Sequence, residues 1–229
     1  MNISKEKILF AILAGGQSKR FGGGYKTFTK ISGKTMLNHI IKILSNFSND
    51  IIINANNLDE FKGFNHNIVK DQFEGFLGPL AGIHASILWI INNQAEKEWL
   101  FTVPSDTPFL PSNLLDVFLS SYTPGTEILI ARSNNRHHPV IAMWHVSLLE
   151  SLEKELKLNN SKIMLWVKKH KYKFVDFNVD QEKNFFNINT QDDLNNAKRL
   201  MNPGSMVGGV VDFLTFGLTD ADGMSRAKG

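Results

Sequence analysis

The stretch KILFAILAGGQSKRFGGGYK, residues 7–26, decides how the rest of the chain is read. Residues 7–14 form a short, nearly unbroken apolar run, the pattern of a strand buried on both faces. The run stops at Gly15 and Gly16, and Gly22, Gly23 and Gly24 follow before Lys26. A glycine-rich loop directly after a buried strand stands where open α/β sheets bind ligands, beyond the strand's carboxyl end. Without Cβ atoms, its backbone N–H groups can turn inward and approach phosphate oxygens. Lys19, Arg20 and Lys26 add positive charge around that nest, and an arginine can grip phosphate through two parallel hydrogen bonds. A flexible loop with solvated basic residues is the plain alternative. Glycines, cations and an upstream strand in one place favour phosphate, although the spacing matches neither GxxxxGK[ST] nor GxGxxG.

The same alternation continues downstream. Apolar runs predict further strands at 50–55, 67–70, 98–103, 127–132, 139–145 and 172–177. Helical patterns occupy 35–47, 79–92, 111–120, 147–158 and 161–170, the second opening on Gly78 with Pro79 at its first turn. A last helix starts at Thr190, where Asp193 stands three residues after a threonine N-cap. Continuous apolar strands alternating with helices predict an α/β fold: one three-layer α/β/α domain over residues 1–201, built on a mostly parallel, mixed sheet. Residues 202–229 change character. They are glycine-rich and aperiodic, and are expected to form a flexible extension or a segment with a separate role.

Composition narrows the chemistry. The chain has 229 residues, 42% hydrophobic and 21% charged, as in ordinary globular domains. It contains no cysteine, which excludes disulfides, thiolate metal sites and cysteine nucleophiles. A net charge of +3 suits anionic substrates and is too weak to predict nucleic-acid binding. The apolar start reads as a strand rather than a signal peptide, and no run is long enough to cross a bilayer, so the expected location is the cytosol.

Further candidates lie at predicted strand ends. Asp106, in VPSDTP after the strand at 98–103, is placed to hold Mg²⁺ beside a triphosphate, or to form a turn before Thr107-Pro108. Asn54 and Asp71 end the second and third strands and face the same sheet edge, with strand-end turn chemistry as the alternative. A carboxylate at Asp71 can accept two hydrogen bonds from paired N–H or O–H donors. Gly78, Pro79 and Leu80 open a helix whose N-terminus suits an anion. The run WVKKHKYK, 166–173, reads as a solvated helix end, with an anionic partner as its alternative. No obvious His–carboxylate or serine-triad pattern is present.

LAGGxSxRFGG followed by lysine resembles the nucleotide loop of the nucleotidyltransferases that activate sugars, polyols and pterin cofactors. Within these, the chain most resembles the molybdenum cofactor guanylyltransferases. NAN at 54–56, GPLAGI at 78–83, PSDTPFLP at 104–111, HPVIAMW at 138–144 and NINT at 187–190 carry the likeness, in the family's order. The resemblance implies a Rossmann-like nucleotidyltransferase fold and transfer of GMP from GTP to molybdopterin, with pyrophosphate released. It implies that Leu13, Ala14, Gly15, Gly16, Lys26, Asn54, Asp71 and Asp106 bind GTP, with Asp106 holding Mg²⁺ and Arg20, Lys26 and Asp106 serving catalysis. Gly78, Pro79, Leu80, His138, Asn187 and Asn189 fall in segments the family uses for the acceptor. Molybdoenzyme chaperones or molybdopterin-handling proteins are the implied further partners. Cytidylyl or other nucleotidyl transfer to a pterin or to a sugar or polyol phosphate is one alternative, and a silent binding protein of molybdoenzyme maturation another. Two departures stand out: Tyr25 where the family commonly has Asp, and Ser105 where it often has Cys.

Overall fold

A computed structural model of the chain describes residues 3–15, 26–73, 75, 78–177 and 184–201. The strands are β1 (Ile8–Leu13), β2 (Lys30–Ile31), β3 (Lys34–Thr35), β4 (Ile51–Asn54), β5 (Asn67–Val69), β6 (Trp99–Pro104), β7 (Ile128–Ser133), β8 (Arg136–His145) and β9 (Tyr172–Phe177). The α-helices are α1 (Met36–Leu44), α2 (Pro79–Asn93), α3 (Leu114–Ser121), α4 (Leu149–Lys157), α5 (Ile163–Val167) and α6 (Gln191–Met201). Seven strands form one sheet in the order β5-β4-β1-β6-β8-β7-β9, while β2 and β3 pair as a separate small hairpin.

β1, third of the seven strands, lies inside the sheet because both its faces are apolar. Ile8, Phe10 and Ile12 enter one core with α1 and α3, whereas Leu9 and Ala11 enter a second core with α2, α4 and α5. Two buried faces require helices above and below, which gives the three layers. β1 pairs in parallel with β4 on one side and β6 on the other. The chain therefore goes one way from β1 to β4 and β5, then crosses over α2 to β6 on β1's other flank. That reversal places a switch point, and a ligand crevice, beyond the carboxyl ends of β1 and β6.

β8 runs antiparallel to both β6 and β7, and β7 pairs in parallel with β9. The sheet is thus mixed, with β8 the strand that reverses direction. A third, small core of Ile31, Met36, Phe109, Ile188, Leu194 and Ala197 ties α6 and the β2–β3 hairpin to the loop after β6. The expected helix over 161–170 is shorter, at Ile163–Val167. Of the run 166–173 read as a solvated helix end, Lys168 and Lys169 are exposed, whereas Trp166 and Val167 are buried in the core and Tyr172 and Lys173 begin β9. The expected strand at 139–145 instead begins at Arg136. Residues 202–229 lie outside the described residues, and among the described residues no helix is long and apolar enough to cross a membrane.

Candidate active site

The crevice opens where two strands part. β8 pairs with β6 from Trp99↔His145 to Thr102↔Ala142, and no further. Toward the carboxyl end of β6 it stays with β7 alone, and its register jumps between Ile130↔Ala142 and Ala131↔His138. Pro139 falls in the skipped stretch, where its missing N–H costs no ladder bond. Between departing β8 and the end of β6 lies a cleft of about 490 Å³. Because β8 is antiparallel, its first residues stand at the same sheet edge as the last residues of β1, β4 and β6. Arg136, His137 and His138 thereby line the cleft opposite Leu13, Gly15, Asn54 and Asp71, with Asp106 and Thr107 between them.

On the β4 side, hydrogen bonds fix a carboxylate. Asn54 Nδ2 donates to the Val69 carbonyl at 3.1 Å and to Asp71 Oδ1 at 2.8 Å. Asn56 Nδ2 donates to Asp71 Oδ2 at 2.9 Å, and Asn56 Oδ1 accepts from the Asp71 backbone N–H at 3.0 Å. Asn54 is buried to 3% exposure, which is tolerable because its amide is bonded. Space for it comes from Gly82 of α2: a Cβ there would stand 3.0 Å from Asn54 Cγ and closer still to Oδ1. Gly78 caps the same helix at φ 67°, a conformation that favours glycine.

Across the cleft, Lys26 Nζ donates to Asp106 Oδ2 at 3.0 Å and to Asn189 Oδ1 at 2.7 Å. The Lys26 and Asp106 side chains are only 11% and 24% exposed, so water screens this pair less than a surface one. Asn189 is presented by the start of α6. There Asp193 accepts from the backbone N–H groups of Asn189 and Thr190, and Thr190 Oγ1 accepts from that of Asp193. The backbone bond to Asn189, the largest cause, holds the Asp193 carboxyl below its ordinary range. Segment 185–188 is strapped along the loop after β6, Phe185 N–H donating to the Phe109 carbonyl and Ile188 N–H to that of Asp106.

On the β8 side, His138 Nε2 lies 2.7 Å from Ser133 Oγ, and the ring stacks on Phe185 at 4.8 Å. Burial, with Arg136 and His137 adding positive charge nearby, pushes the His138 pKa down to about 4. The imidazole is therefore neutral at physiological pH. Asn187, also on the cleft, carries a buried Oδ1 with no hydrogen-bond partner among the described residues.

Of the residues singled out from sequence, Leu13, Gly15, Asn54, Asp71, Gly78, Pro79, Asp106, His138 and Asn187 line this one cleft, and Lys26 and Asn189 join it through Asp106. Ala14 is buried, its N–H donating to the Asn54 carbonyl. Leu80 does not open on the cleft: its side chain is fully buried in the α2 core, leaving only its main chain for a ligand. Gly16 and Arg20 lie outside the described residues. Sequence reasoning passed over Asn56, Thr107, Arg136, His137 and Phe185. For Asn56 a signal existed, since Asn54 and Asn56 are two apart and so share one side of an extended chain.

The sheet order and its switch point define an open, doubly wound α/β fold with a ligand crevice at its carboxyl edge, and solved structures agree at the level of the fold. Molybdopterin-guanine dinucleotide biosynthesis protein A from Archaeoglobus fulgidus matches with a TM-score of 0.68 at 23% identity, covering 85% of this chain and 98% of that one. A cytidylyltransferase from Leptospira borgpetersenii matches at 0.65 with 16% identity, covering 95% and 99%. The chain belongs to the family of MobA-like NTP transferase domains, which matches residues 10–172. Among its relatives are the molybdenum cofactor guanylyltransferases of Shewanella putrefaciens, 36% identical over 181 residues, and Vibrio campbellii, 35% identical over 186 residues. These alignments cover 78% and 81% of this chain and 90% and 92% of the relatives.

Proposed function

We propose that the protein transfers GMP from GTP to the terminal phosphate of molybdopterin, forming the guanine dinucleotide cofactor and releasing pyrophosphate. The observation that carries this reading is the convergence of the Asn54–Asp71–Asn56 cluster and the Lys26–Asp106 pair on one cleft. The first cluster offers hydrogen-bond acceptors to a base or ribose, the second a cation and a carboxylate to a triphosphate. Family membership and relatives named as guanylyltransferases over nine-tenths of their length support the same substrates.

A phosphate monoester with a second pKa of roughly 6 is mostly dianionic at neutral pH. One of its oxygens attacks the α-phosphorus of GTP, the α–β bridging bond breaks, and its electrons leave on pyrophosphate. No proton need be removed, so alignment and charge neutralisation suffice. Asp71 and Asn54 hold the nucleoside at the β4 edge. Lys26, kept in place by Asn189 and Asp106, meets the charge that grows on the departing phosphates. Arg20 is assigned the same task from its place in the glycine loop. His138, neutral and braced by Ser133 and Phe185, and Asn187, with its unpaired acceptor, recognise the hydrogen-bonding edge of the pterin. Product release to molybdoenzyme chaperones is the expected next step.

Asp106 fits a magnesium ion as a single hard carboxylate donor on the cleft. No three His, Cys, Asp or Glu side chains gather among the described residues, so triphosphate oxygens and water would complete the shell. Bound there, the ion would supply charge neutralisation at the α-phosphate and pyrophosphate. The test is pyrophosphate release with molybdopterin, magnesium and either GTP or CTP. Release with GTP alone is expected; release with CTP alone would reassign the nucleotide, and none with either would leave a binding protein.

A further inference from the structure

We propose that Asn56 is the positioning residue that sets base preference, by holding the Asp71 carboxylate at a fixed angle to the cleft. The proposal rests on the reading of Asp71 as an acceptor for paired N–H donors of the base. β4 and β5 end as a ladder at Asn54↔Val69, with one more backbone bond from Ala55 N–H to the Val69 carbonyl. Asp71 lies two residues past that point, where no strand partner remains. Asn56 replaces the missing ladder with its side chain, its Oδ1 accepting from the Asp71 N–H and its Nδ2 donating to Asp71 Oδ2. One amide thus grips main chain and carboxylate together.

The second carboxylate oxygen takes its bond from Asn54 at 2.8 Å. An ionised carboxylate has about four lone-pair sites. With one site on each oxygen used by an amide, each keeps capacity for a ligand donor. Two acceptors held at carboxylate spacing match a base that carries two adjacent N–H donors, as guanine does at N1 and N2. Were Asn56 removed, Oδ2 would lose its partner and the group could turn about its last torsion, a soft, broad coordinate for a carboxylate. Asp71 would still be charged and still near the cleft, but no longer aimed.

The test is calorimetric binding of magnesium GTP and magnesium ITP to the full chain, since inosine lacks the exocyclic amine. Wild type should prefer GTP by about tenfold or more, the usual consequence of leaving a buried acceptor unpaired. Asn56→Ala should weaken GTP about tenfold and ITP less, so that the ratio narrows toward unity. Asn56→Asp keeps the shape and removes the donor, and serves if the alanine variant fails to fold. It should narrow the GTP/ITP ratio in the same way. An unchanged GTP/ITP ratio in these variants, with a narrowed one in Asp71→Asn, overturns the role of Asn56 and leaves the base reading standing. An unchanged ratio in Asp71→Asn as well overturns both.

Discussion

Replacing Gly82 by alanine sets two opposed effects against each other, and the site's geometry says which wins. In a helix interior, alanine is favoured over glycine by about 0.5–1 kcal/mol, so α2 considered alone would be stabilised. The new methyl, however, would stand 3.0 Å from Asn54 Cγ, nearer to its Oδ1, and 3.3 Å from Leu13 Cδ2. Asn54 is buried and short, and cannot retreat without giving up its bonds to the Val69 carbonyl and to Asp71. A neutral hydrogen bond is worth about 0.5–1.5 kcal/mol and one to a charged group about 1.5–3 kcal/mol. Partial loss of both outweighs the helix gain, leaving a net destabilisation of about 1–3 kcal/mol. For a chain of this length that lowers Tm by roughly 2–12 °C. Affinity for GTP should fall about tenfold as Asp71 loses one of its two amide donors. Thermal unfolding and calorimetric GTP titration read both quantities. Adding Asn54→Ala removes the clashing atoms, so the double variant should be less damaged than the two single losses summed. A Gly82→Ala protein that melts higher than wild type and binds GTP equally well would refute the reasoning, because helix propensity would then be the only effect present.

Asp106→Ala should lower turnover about a hundredfold or more at saturating magnesium, with the fold intact because Lys26 keeps its bond to Asn189; wild-type rates would remove Asp106 from the mechanism. Arg136→Ala should raise KM for molybdopterin about tenfold and leave KM for GTP unchanged, since Arg136 lines the β8 half of the cleft; a shift in the GTP constant instead would put the acceptor elsewhere. With the His138 pKa lowered to about 4 by burial, the unfolded chain takes up a proton between about pH 6.5 and 4 that the folded chain refuses, so its contribution to stability is intact above that window and is lost as pH falls through it. His138→Gln should flatten this acid limb by roughly 1–2 kcal/mol between pH 7.5 and 5, after allowance for solvent screening, in denaturant titrations; an unaltered limb would show that His138 is not its source.

Most strands and helices were legible because each carries its period or its stop signal locally. The apolar run before Gly15 reads as β1, the Gly78-Pro79 start reads as α2, and Thr190 with Asp193 caps α6 through the bonds their spacing predicts. The cleft-lining residues on parallel strands were legible for a related reason: a polar residue ending an apolar run is placed by topology at the carboxyl edge of the sheet. Arg136 and His137 were not. They begin β8, and a residue at the start of a strand reaches the ligand edge only if that strand is antiparallel. No local pattern distinguishes the two directions. The hairpin of β2 and β3 was missed because two-residue strands leave no period, and the fully buried side chain of Leu80 because an apolar residue beside a cleft motif looks the same whichever way it points.

The reversal of β8 also separates the two halves of the site physically. The half proposed for the nucleotide is fastened by bonds among β1, β4, β5 and α2, with Asn54, Asn56, Asp71 and Gly82 each constrained by another member of that set. The half read as the acceptor side hangs on a different device, the end of the β6–β8 ladder at Thr102↔Ala142 and the register shift between β7 and β8 beside it, together with the strap at 185–188. Neither set of constraints includes the other, so changes along β8 can reshape one half while the carboxylate clamp stays as it is. Lys26 and Asp106 stand between the two, joined to the strap through Asn189 and to the end of β6 through Asp106 itself. On the proposed roles, such an arrangement lets charge neutralisation stay fixed at the centre while the base and the acceptor are selected independently on either side.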